Sequence, residues 1–281
     1  MRKKIIIPLL LVAVLSSCGP YNKLLKSRDY EYKYEASKQY FARGQYNKAS
    51  TLLTELITIM KGTDKAEESL YLLALSFFNN KDYTTAATTF ITYYTSYPSG
   101  RYTEIARFLS GKALYLETPE SRLDQSSTFK ALQELSLYIE EYPFSERKEE
   151  AQQMIFELQE KLVKKQYLSA KLYYDLGTYM GNNYKSCIIT AENALLDFPS
   201  TQMRENLSIL ILRAKYQLAE HSFEELKQER YRDAIDEYFA FKNDFPESKF
   251  MKTAEKIYRN SVSEISLDEV EADFKKEKIK D

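Results

Sequence analysis

The 281-residue chain has no tryptophan, one histidine, two cysteines, seven glycines and seven prolines. Each shortage closes off a class of protein. One histidine, His221, with no cysteine beside it cannot build a zinc site of the usual kinds, and it reads as a surface residue in an insertion. Two cysteines make no disulfide framework. So few glycines and prolines argue against a loop-rich sandwich. Neither a GxxxxGK[ST] nor a GxGxxG phosphate loop occurs, and the acidic residues are spread as on any solvated helix face. The sequence thus offers no catalytic residues, no metal ligands and no cofactor site, and an enzyme such as a wall hydrolase fits poorly. There is no positive excess either. The formal charge is −1, and losing Arg2, Lys3 and Lys4 with a leader takes it to −4. That speaks against nucleic acid as a partner.

Aromatics and charges are what the chain does have. Tyrosine occurs 24 times and phenylalanine 15 times, with 44% hydrophobic and 29% charged residues. Many aromatics and few helix breakers suit long helices packed in pairs.

The first residues read as a processing segment. Arg2, Lys3 and Lys4 are followed by the apolar stretch from Ile5 to Leu15, too short to span a bilayer. Then comes Leu15-Ser16-Ser17-Cys18, which resembles the lipobox of bacterial lipoproteins. Residues 1–17 are expected to be a lipoprotein signal peptide cleaved before Cys18, with acyl chains (palmitate among them) on Cys18. Several acyl chains, at roughly 0.8 kcal/mol per buried methylene, anchor a protein stably. No Asp follows Cys18, and no acidic run does. By analogy with lipoprotein sorting, both absences point to the periplasmic face of the outer membrane of a Gram-negative bacterium.

Beyond a polar, lipidated tether over 18–29, the chain repeats a helical hairpin. Tyr30 to Ala42 and Tyr46 to Met60 flank a break at Gly44-Gln45. In the second hairpin Ala74, Phe77, Tyr83, Ala86, Phe90 and Pro98 occupy positions 8, 11, 17, 20, 24 and 32 of a 34-residue tetratricopeptide repeat. Alanines belong where the two helices cross closely. Pro98 stops the second helix, because it lacks an N–H and disfavours helix in the residue before it; Ser99 is a candidate cap for the next. Aromatic-proline pairs return at Tyr142-Pro143, Phe198-Pro199 and Phe245-Pro246. Their spacings exceed 34, so the repeats are decorated, with insertions near 118–121 and 220–227. A long helix is expected over roughly 145–180, and a capping helix over 248–265. The expected fold is all-α: a tetratricopeptide-type helical-hairpin solenoid of about five decorated repeats plus a C-terminal capping helix. Repeats 1–3 fill 30–143, repeats 4–5 and the cap fill 144–265, and 266–281 is a charged tail. Cys187 takes a small-residue position and reads as a buried packing residue.

In such hairpins, positions 2, 5, 9 and 12 of the first helix face a concave groove. Here these are Glu31, Tyr34, Lys38 and Phe41, then Glu68, Tyr71, Leu75 and Phe78. The candidate peptide-groove residues are Tyr34, Lys38, Phe41, Tyr71, Leu75 and Phe78, an aromatic trough for a client peptide unless the rings pack on neighbouring helices.

The lipobox, the tether, the five decorated repeats and the segments YNKASTLLTELI, FNNKDYTTAATTFITYYTSYPS and RYTEIARFLSGKALY together resemble the BamD family, lipoproteins of the β-barrel assembly machinery. The resemblance covers roughly 18–265 and is most specific in hairpins 1–3. It implies an outer-membrane scaffold that helps fold and insert outer-membrane proteins. The implied partners are unfolded outer-membrane protein clients at the N-terminal repeats, and a BamA-like barrel protein held through its periplasmic domains by the C-terminal repeats. Some members carry an Arg in the second helix of repeat 4 for that contact; here Thr190 aligns with it. Two other readings are a SusD-like glycan-binding lipoprotein and a repeat scaffold for cell-wall or division factors. The first lacks its loop-rich ligand domain here, and the second lacks its coiled-coil arm.

Overall fold

The structure, a computed structural model, describes residues 19–265. The expected signal peptide, Cys18 and the tail 266–281 lie outside the described residues. Twelve helices and no strand occur among the described residues, and the fold is the all-α, tetratricopeptide-like class expected. The chain divides into two compact units, one of residues 19–118 and 126–155, the other of 119–125 and 156–265.

In the first unit, α1 is Gly19–Leu25, α2 Tyr30–Ala42, α3 Tyr46–Ile59, α4 Ala66–Asn79, α5 Tyr83–Ser96, α6 Thr103–Glu117 and α7 Ser126–Glu141. The stretch expected as a tether is helical in α1. Leu24 is buried there with Ala36 of α2 and Leu52 of α3. Lys33, only 1% exposed, donates to the Leu25 carbonyl at 2.9 Å and to Glu55 at 2.6 Å. A buried ammonium with a carboxylate and a carbonyl around it satisfies the end of α1, where carbonyls lack helical partners.

Hairpin α2–α3 turns through Gly44 at φ +72°, and Lys81 at φ +64° holds the matching place between α4 and α5. Both turns close identically, with Gly44 N–H on the Phe41 carbonyl and Lys81 N–H on the Phe78 carbonyl. Asp29 caps α2 and Asp82 caps α5 through their carboxylates. The alanines expected at the crossings, Ala74 and Ala86, are fully buried, as is Phe90. Ser99 does not cap α6. That helix starts at Thr103 without a side-chain cap, and the loop before it is held by other groups, described below.

Helix α8, Lys148–Leu176, is continuous over 29 residues; Lys148–Ile155 belong to the first unit and Phe156–Leu176 to the second. The second unit continues with α9 Asn183–Asp197, α10 Arg204–Glu220, α11 Glu224–Asp244 and α12 Met251–Glu264. Its core joins Val163 and Ala170 of α8 to Cys187, Ala191 and Ala194 of α9 and to Leu207, Ile211 and Ala214 of α10. A second cluster packs Ile209 and Leu212 of α10 on Tyr238 and Phe241 of α11 and on Ala254 and Ile257 of α12. The extra residues near 220–227 lengthen α11 to 21 residues instead of forming a long loop. Those near 118–121 do form a loop, ending at Gln125.

Candidate peptide-binding face and loop clasps

The six groove residues divide into two kinds. Tyr34 and Tyr71 are buried, 3% and 8% exposed, which corrects the expectation of open aromatic anchors at those positions. Charges cover the Tyr34 ring. Lys38 Nζ lies 5.0 Å and Lys65 Nζ 5.3 Å from its centroid. Its hydroxyl donates to Glu68, which also pairs with Lys38 at 3.7 Å, and Lys65 pairs with Glu31. Burial, then the Glu68 bond, pushes the Tyr34 phenol well above its ordinary value. The ring therefore ties α2 to α4 in place of waiting for a ligand. Tyr71 stacks on Tyr102 with centroids 4.2 Å apart and planes 6° from parallel, and it touches Tyr93 at 5.6 Å and Phe90 at 6.2 Å. Its phenol too is raised by burial.

Lys38, Phe41, Leu75 and Phe78 are half-buried. Phe41 meets Tyr46 edge-on at 5.4 Å, and Phe78 meets Tyr83 edge-on at 5.6 Å. Each ring thus has a supporting ring and still reaches solvent. These four residues, at the same repeat positions of α2 and α4, leave apolar area open to a peptide beside the Lys38–Glu68 ion pair.

One recurring feature went unread in the sequence: a Glu in the first helix of a hairpin grips the loop that follows the aromatic-proline pair. Glu67 accepts from Tyr93 Oη at 2.5 Å and from Arg101 N–H at 2.7 Å. Tyr93 Oη in turn accepts the Tyr102 N–H at 3.1 Å. Glu104 accepts from Ser145 at 2.6 Å and Tyr138 at 3.3 Å. Glu160 accepts from Gln202 N–H at 3.2 Å, and Glu205 from Ser248 Oγ at 2.5 Å. All four carboxylates offer charge-assisted bonds to loop donors that have no helical acceptor. The signal was available, since Glu67, Glu104 and Glu205 are each the second residue of their helix. Gly100 belongs to the same device. A Cβ there would stand 2.7 Å from Glu67 Oε1 and 2.9 Å from Tyr93 Oη.

Cys187 is fully buried and its thiol is pushed up to about 12 by burial, as befits a packing residue. His221 is exposed, its ring nitrogen 2.9 Å from the Gln217 carbonyl. Among the described residues no group of three His, Cys, Asp or Glu is placed to hold a metal, and no helix is long and apolar enough to cross a membrane.

A family model described as YfiO, outer membrane lipoprotein, matches residues 27–222. That span runs from just before α2 to just after α10. No curated protein matches the chain.

Proposed function

Since the chain belongs to the YfiO family of outer membrane lipoproteins, the BamD-type family, we propose that it is a scaffold of the β-barrel assembly machinery. In this reading Cys18 carries the lipid, the anchor sits in the outer membrane, and the helical hairpins work at its periplasmic face. The chain helps outer-membrane proteins fold and insert by holding partners together, not by catalysis. Unfolded clients pass over Lys38, Phe41, Leu75 and Phe78, while Tyr34 and Tyr71 brace that surface from beneath. The C-terminal repeats hold a BamA-like barrel protein through its periplasmic domains.

The family match across most of both units carries the proposal. The half-buried rings of α2 and α4 support the client surface, because rings fixed by other rings lose little entropy when a ligand covers them. Co-purification tests the assembly role. After mild detergent extraction, the tagged chain should bring down an outer-membrane barrel protein with periplasmic domains. Recovery of the chain alone, from membranes that hold such a protein, counts against it.

A further inference from the structure

Three helices of the second unit line an elongated cleft to which the assembly role assigns no residue. Its first part, about 270 Å³, lies among α8, α10 and the residues leading into α12. Its second, about 350 Å³, runs along α12 as far as Asn260 and shares Tyr174 and Arg213 with the first. Two neighbouring parts that share Tyr174 and Arg213 suit a chain-like ligand better than a small ion.

The cleft is cationic. Lys171, Arg213 and Lys249 border the first part, where the one carboxylate is Asp175, already paired with Lys171 at 2.8 Å. Lys256 borders the second part with Glu220, which accepts from the Tyr231 hydroxyl at 2.8 Å. Arg213 and Lys249 have no carboxylate partner among the described residues. They lie 5.7 Å and 5.0 Å from the centre of the Phe250 ring, which positions them without neutralising them. Arg213 also draws down the Tyr174 phenol against the burial that raises it. Cations gathered in a concave site focus their field on an incoming anion, and the guanidinium fork matches a carboxylate.

We propose that this cleft binds an extended acidic peptide segment of another protein, with its carboxylates on Arg213 and Lys249 and an apolar side chain against Tyr174. The proposal stands apart from the assembly role, because binding is read with the purified chain alone. The probe is fluorescein-labelled Gly-Glu-Glu-Phe-Glu-Glu-amide, titrated with the full chain in detergent and followed by anisotropy. Saturable binding is expected, weakened at least tenfold by Arg213→Glu and by raising salt from about 50 to 300 mM. Arg213→Lys should keep part of it, and Lys130→Glu in the first unit should change nothing. Lys249→Glu repeats the test should Arg213→Glu lose its helical signal. Binding that is absent, or equal in both charge reversals, overturns the proposal. So does full displacement by submillimolar inorganic phosphate, which would reduce the cleft to a small-anion site. A tenfold gain on deleting residues 266–281 would make the chain's own acidic stretch, Asp268 to Asp273, the occupant, and would overturn the assignment to another protein.

Discussion

Replacing Glu67 with alanine takes away the acceptor that holds the loop between α5 and α6. Tyr93 is fully buried, so its hydroxyl is left facing protein with no carboxylate to donate to. A hydrogen bond to a charged group contributes about 1.5–3 kcal/mol, and a buried donor left unmade costs about 1–3. The Arg101 N–H is exposed and turns to water at little cost. The net loss is about 2–3 kcal/mol for Glu67→Ala and about 1 for Glu67→Gln, which keeps one acceptor oxygen. Tyr93→Phe removes the partner and the acceptor for the Tyr102 N–H, and costs about 1–2. The double variant should then lose less than the sum, by about 1–2 kcal/mol of coupling. Urea unfolding followed by the helical signal reads these values. With a slope of about 2 kcal/mol per molar, Glu67→Ala lowers the midpoint by about 1–1.5 M. Because the chain has two units, amide exchange of residues 97–103 localises the effect to the gripped loop. Additivity of Glu67→Ala and Tyr93→Phe within about 0.5 kcal/mol would refute the claim that the pair acts together.

Gly100→Ala should perturb the same loop, since the new methyl meets Glu67 Oε1 at 2.7 Å; a loss of about 1–3 kcal/mol in the same urea assay is expected, and an unchanged midpoint would contradict it. Cys187 should resist iodoacetamide at pH 8 until denaturant is added, because burial removes both access and thiolate; mass analysis of the peptide that contains it reads this directly. Tyr34, Tyr93 and Tyr231 are buried, and burial raises their phenols above the ordinary value, with Glu68, Glu67 and Glu220 adding to it. Above about pH 10 the unfolded chain releases these protons while the folded chain keeps them, so stability falls with rising pH, by up to about 1.4 kcal/mol per unit for each tyrosine. Below that pH the three contribute no pH dependence. Urea midpoints at pH 9 and 11 should therefore differ, and the difference should shrink in Tyr93→Phe.

Much of the fold was legible because proline acts locally. Helices α5, α7, α9 and α11 end at Ser96, Glu141, Asp197 and Asp244, each just before an aromatic-proline pair, where the next residue is barred from helix by the proline after it. Helix α1 was not legible. Its seven residues hold only because Leu24 finds Ala36 and Leu52, and because Lys33 reaches the Leu25 carbonyl; those partners lie far along the chain. The groove was legible by position but not by depth. Repeat register puts Tyr34 and Tyr71 on the first helices, yet their exposure is decided by Lys38, Lys65 and Tyr102. Only folding brings Lys65 and Tyr102 there from outside the tyrosines' own helices. The carboxylate grips escaped notice for the same reason. A Glu in a first helical turn looks like an ordinary favourable charge near a helix N-terminus until its loop partner is in place.

The assembly role is tested most directly by depleting the chain in its own bacterium and pulse-labelling newly made outer-membrane proteins. The proposed role predicts that the folded, heat-modifiable fraction of these β-barrels falls within the pulse while their synthesis and export continue. Re-expression should restore it when Cys18 is intact and not with Cys18→Ala. Unchanged β-barrel folding in depleted cells would contradict the role.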